Sequence, residues 1–134
     1  MKRIVLLASI VVAGCGDPGW EIKNPASAPN AVDASCVEAG VRAWSPDVKT
    51  NASIHREWVE LQVRTPATTP YAVHVLWRER TPNQLELSVY DLGMQAPCDV
   101  LAGFRSVRDD IVAHVAASCG TAVTLGPEWC QRCK

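Results

Sequence analysis

The sequence predicts a two-layer α+β domain: a three-stranded antiparallel sheet with two helices on one face, in the order helix-strand-strand-strand-helix. Apolar residues recur at helical spacing over Asp33–Trp44 and again, over a longer stretch, across Cys98–Ser118. Between them lie three runs that alternate with a two-residue period. The 134 residues are 48% hydrophobic and 20% charged, which allows one modest core and excludes a disordered, charge-dominated tail. Six cysteines are too few for a scaffold held by disulfides alone and many for a cytosolic chain.

Residues 1–14 form a removable leader, residues 15–32 a tether, and residues 33–134 one small domain. The tether reading rests on Pro18, Pro25 and Pro29 among small residues, with neither helical nor strand period. A tether of that composition stands the domain off whatever holds its start. In the first helix, Val37, Val41 and Trp44 share a face, Asp33 or Ser35 supplies the cap, and Ser35 with Glu38 fits a capping box. Gly40 weakens this helix, and Ser45-Pro46 stops it.

In the first strand Val59, Leu61 and Val63 face the core. The second turns Tyr71, Val73, Val75 and Trp77 inward, and the third Leu85, Leu87 and Val89. Thr81-Pro82-Asn83 joins the last two as a hairpin. The expected register sets Trp77 opposite Leu87, Val75 opposite Val89, Arg78 opposite Glu86 and His74 opposite Tyr90. In the long helix Val100, Phe104, Val107, Ile111 and Val115 form the buried stripe, and Gly120 supplies a left-handed cap. Thr121–Leu125 adds a C-terminal edge strand.

The start carries Lys2 and Arg3 followed by the apolar run Ile4–Ala13, the pattern of an export signal and too short to span a bilayer. Val12-Ala13-Gly14-Cys15 then resembles the lipobox of bacterial lipoproteins. That resemblance covers the leader alone. It implies cleavage after Gly14, covalent lipid on Cys15 and a membrane anchor through it. With Gly16 after the cysteine it favours the outer membrane, with the domain in the periplasm. Loss of Lys2 and Arg3 leaves a weakly acidic mature chain, which argues against nucleic acid as a partner.

Cys36, Cys98, Cys119, Cys130 and Cys133 remain as disulfide candidates. Three strands between two helices make the helices parallel and bring their N-termini together, so the expected bridges are Cys36–Cys98, and Cys119 with Cys130 or Cys133. Cys130-Gln131-Arg132-Cys133 has the spacing of a thiol–disulfide redox pair, but only Lys134 follows it and no helix can start there. His114, Cys119, Cys130 and Cys133 are zinc ligands by residue type, yet His114 lies about 140° around the helix from Cys119. The expectation is no metal and no cofactor beyond the lipid.

No phosphate-binding loop, zinc-protease motif or nucleophile elbow is present in the sequence. The candidate binding face is the outer side of the sheet, where Trp58, Arg64, His74, Leu76, Arg78 and Tyr90 gather. Trp129 is expected as a plug that docks the tail. The reading is a non-catalytic envelope lipoprotein that binds or supports another envelope component, with an envelope protein as a possible partner. The alternative is a periplasmic thiol–disulfide oxidoreductase using Cys130 and Cys133.

Overall fold

In the computed structural model, residues 19–64, 72–92 and 101–132 are described. The elements run β1 (Gly19–Ser27), α1 (Ala34–Trp44), β2 (Val48–Ala52), β3 (Trp58–Arg64), β4 (Ala72–Arg78), β5 (Gln84–Leu92), α2 (Leu101–Cys119), β6 (Thr124–Leu125) and β7 (Trp129–Arg132). All strand pairs are antiparallel, in the order β2-β3-β4-β5-β1-β6, with β7 also on β1. The expected three-stranded sheet is therefore corrected to seven strands. The three alternating runs are its β3, β4 and β5, β6 falls within the expected edge strand Thr121–Leu125, and β1, β2 and β7 come from segments without a clear apolar period.

The largest correction is β1. Residues 15–32 do not act as a tether throughout, because Gly19–Ser27 pairs with β5 along its whole length. Ile22 and Ala26 are buried among the core residues, while Lys23, Pro25 and Ser27 alternate with them. Pro25 is tolerated inside the sheet because of where its missing N–H falls. The Pro25 carbonyl accepts a hydrogen bond from the Gly126 amide at 2.8 Å, so that residue's backbone polar groups face β6 and β7. There the chain crosses a gap between the two short strands, and no ladder donor is required.

β2 is an edge strand whose residues are half-buried at Val48 and exposed thereafter, which is why Lys49, Thr50 and Asn51 carry no apolar period. Arg42 ties it to α1, donating to Glu38 Oε1 at 3.0 Å and to Thr50 Oγ1 at 3.0 Å. Glu38 is thus used by Arg42 rather than by a capping box, and the Asp33 side chain makes no cap hydrogen bond. β2 also changes the sense of the helices. Four strands instead of three separate α1 from α2, so the helices run antiparallel, and Cys36 at the start of α1 meets Cys119 at the end of α2. The disulfide is Cys36–Cys119, with a sequence separation of 83, and not Cys36–Cys98. Closing a loop of that length is worth about 4.5 kcal/mol in the chain-entropy model.

The β4–β5 register is Trp77↔Leu85, Val75↔Leu87, Leu76↔Glu86 and His74↔Ser88. This is two residues tighter than expected, because the hairpin closes within residues 79–83 through Thr81 N–H to Arg78 O and Gln84 N–H to Thr81 O. A shift of two preserves the faces, so Val73, Val75, Trp77, Leu85, Leu87 and Val89 still point inward, while Tyr71 lies outside the described residues. Trp77 donates through Nε1 to Val32 O at 3.1 Å and so clamps the β1–α1 connection to the hairpin. α2 runs unbroken through Gly103. It ends with Gly120 at φ 64° and a Thr121 N–H to Ala116 O bond, the left-handed cap expected.

Phe104, Val107, Ile111 and Val115 of α2 and Val37 and Val41 of α1 join the inward residues of β1, β3, β4 and β5 in one core. Gly40 is buried where the helices cross. A Cβ there would stand 2.6 Å from Val115 Cα and 2.9 Å from His114 O, both backbone atoms that cannot step aside. Gly40→Ala should therefore destabilise the domain by about 1–3 kcal/mol, although alanine is the better helix former by about 1 kcal/mol. Urea denaturation checks this; an unchanged or higher midpoint would show that the crossing is looser than described.

Candidate functional site

The sheet's second face looks away from the helices. Because directly paired residues share a face, the register places Gln62, His74, Ser88, Lys23 and Trp129 in one transverse row across β3, β4, β5, β1 and β7. A second row contains Glu60, Leu76, Glu86 and Pro25. Trp58 pairs with Arg78 at one end of the face, and Tyr90 with Glu21 towards the other.

Five of the six expected face residues can be placed by side chain. Trp58, Arg78 and Tyr90 are exposed, Leu76 is half-buried, and His74 is buried within the face. Arg64 is the last residue of β3, and its side chain lies outside the described set. His74 is the centre of this group. Its Nδ1 lies 2.8 Å from Glu60 Oε1, and its ring centroid lies 4.7 Å from that of Tyr90, tilted by 31°. The tighter hairpin register leaves His74 and Tyr90 diagonal rather than directly opposed, and the rings still meet.

Sequence reasoning missed the β1 and β7 contribution. Lys23 is 3.1 Å from Glu21 and 4.0 Å from Glu86, and its Nζ lies 5.8 Å from the Trp129 ring centroid. Trp129 is 43% exposed, so it lines the open face and is not a buried plug. The available signal was Ile22 and Ala26 on one side against Glu21, Lys23 and Ser27 on the other, interrupted by the polar Asn24 and by Pro25. Two open depressions flank Arg78. One, of about 240 Å³, is lined by Pro25, Leu76, Gln84 and Glu86, and the other, of about 280 Å³, by Glu57, Trp58 and Arg80. Mixed charges and exposed aromatic rings of this kind suit a polypeptide or amphipathic partner.

Of the cysteines, Cys15, Cys98 and Cys133 lie outside the described residues. Cys130 is half-buried in β7 opposite Ile22, within a strand rather than at a helix start. Cys119 is committed to the disulfide and so is lost to a metal set with His114. Among the described residues no cluster of three or more acidic, His or Cys side chains could hold a metal ion, and no helix is long and apolar enough to cross a membrane.

The tail is fixed by a polar network on the core side of β1. Asn24, 1% exposed, donates through Nδ2 to Gly126 O at 2.9 Å and accepts from Arg108 Nη1 at 2.7 Å. Arg108 Nη1 also reaches Glu128 Oε2 at 3.1 Å, and Arg105 clasps the same carboxylate through Nη2 at 2.7 Å and Nε at 3.0 Å. No protein-family model matches the chain, and no curated protein matches it.

The hydrogen bonds from Arg105 hold the Glu128 carboxyl below its ordinary value, with help from the charges of both arginines and against a smaller upward push from burial. A depressed carboxyl stabilises the fold above its unfolded pKa and loses that contribution as pH falls through the folded value. Glu128→Gln should thus cost about 1 kcal/mol at neutral pH, a figure kept low because Arg105 is largely in solvent. The gap to wild type should narrow as pH drops from roughly 5 to 2. Thermal melts across that range check it; a pH-independent gap would contradict the ion-pair account.

Proposed function

We propose that the protein is a non-catalytic lipoprotein of the bacterial cell envelope. It is held by lipid on Cys15, with the outer membrane favoured and the domain in the periplasm, and it binds or supports another envelope component through the outer face of its sheet. The observation that carries this reading is Val12-Ala13-Gly14-Cys15 placed directly after a short cationic start and an apolar run. Two or more acyl chains on one cysteine-bearing terminus give a durable anchor, where a single chain binds only marginally. The Cys36–Cys119 bridge is compatible with an oxidising compartment.

The thiol–disulfide alternative rests on the spacing of Cys130 and Cys133 alone. A redox cysteine is normally activated at a helix N-terminus, and the placement of Cys130 within β7 adds nothing in its favour.

Mass spectrometry of protein recovered from bacterial membranes tests the anchor. The expected product begins at Cys15 and carries acyl groups, and Cys15→Ser should abolish both the lipid and membrane retention. An intact initiator methionine, or an unmodified thiol at Cys15 in membrane-retained protein, would overturn the reading.

A further inference from the structure

We propose that the outer sheet face docks on the bilayer near the start of β1, with Tyr90, Trp129 and Lys23 seated in the phospholipid headgroup layer. This rests on the reading that Cys15 carries the lipid. Only Gly16, Asp17 and Pro18 separate Cys15 from β1. Four residue steps span at most about 14 Å, so a domain whose first strand opens at Gly19 stays against the membrane that holds its anchor.

Along β1, at about 3.4 Å per residue, the level of Tyr90 lies about 7 Å from Gly19 and that of Trp129 about 14 Å. Both rings are close to half-exposed, at 48% and 43%, and both lie on the open face. Tyrosine and tryptophan concentrate at the membrane–water interface, where an apolar ring and a polar tip are satisfied together. Lys23 lies beside Trp129, and its stem covers apolar surface while its ammonium reaches lipid phosphates.

Trp58 and the two depressions beside Arg78 sit at the opposite end of the face, near the β4–β5 hairpin and the end of β1. Ser27 is about 27 Å from Gly19 along the strand. That end stays clear of lipid and open to a protein partner. The charge complement fits a zwitterionic surface, because Glu21 and Glu86 offset Lys23 and leave no cationic excess to demand anionic lipid.

The test uses the full lipidated protein on phosphatidylethanolamine–phosphatidylcholine vesicles whose upper acyl chains carry bromine, a short-range quencher of tryptophan. The emission lost to bromine per molecule should fall in Trp129→Phe and stay at the wild-type level in Trp58→Phe, with all three proteins floating with the vesicles. In addition, Tyr90→Ser should reduce the quenching of Trp129 by lifting the face. Equal quenching in wild type and Trp129→Phe, with both afloat, would overturn the docking while leaving the anchor intact. A wild-type chain that does not float would overturn the anchor and the docking with it.

Discussion

The pairing of β1 with β5 is the constraint on which the molecule depends. It runs from Gly19↔Leu92 to Ser27↔Gln84 without interruption and carries β6 and β7 on its other side. Without it the sheet would end at β5, Val89 and Leu85 would lose Ile22 and Ala26 as neighbours on that side, and the tail after α2 would have nothing to pair with. Asn24 places a polar side chain on the buried side of this strand. It stays there because Gly126 and Arg108 satisfy it, and Arg108 in turn brings Glu128 and Arg105. A buried amide left without those partners would cost about 1–3 kcal/mol, so strand, helix and tail are mutually conditional.

The legible parts of the fold were those where one face is buried and the other wet. α1, β3, β4, β5 and α2 all carry that contrast, in Val37/Val41, Val59/Leu61/Val63, Val73/Val75/Trp77, Leu85/Leu87/Val89 and Phe104/Ile111. The missed strands lack it for identifiable reasons. β2 is an edge with little buried side chain, and β7 is short, held by pairing rather than by an apolar row. In β1 the inward row Ile22, Asn24, Ala26 is interrupted by a polar residue, and Pro25 reads as a breaker unless the position of its absent N–H is known, which depends on Gly126, about a hundred residues away in the chain. The disulfide error followed from one uncounted strand, since each added strand reverses the direction of the next element.

The candidate face was legible in part. Trp58, His74, Leu76, Arg78 and Tyr90 could be assigned to one side from alternation alone, and the two-residue change in hairpin register left that assignment intact. Lys23, Glu21 and Trp129 could not, because their strands were not recognised. Their addition changes the functional picture. With β1 inside the sheet, the start of the domain lies a few residues from Cys15, so under the proposed lipid anchor the face would have a membrane-proximal and a membrane-distal end. A reading with a long tether implied neither.

Native-state hydrogen exchange of the Ile22, Asn24 and Ala26 amides tests this arrangement most directly. The Pro25 carbonyl faces Gly126, so by strand alternation these three amides face β5. They should be protected to nearly the same free energy as the Val75 amide in the middle of the sheet, opening only with the whole domain. Exchange at the rate of an unstructured peptide, with Val75 still protected, would mean that residues 19–27 are a tether after all.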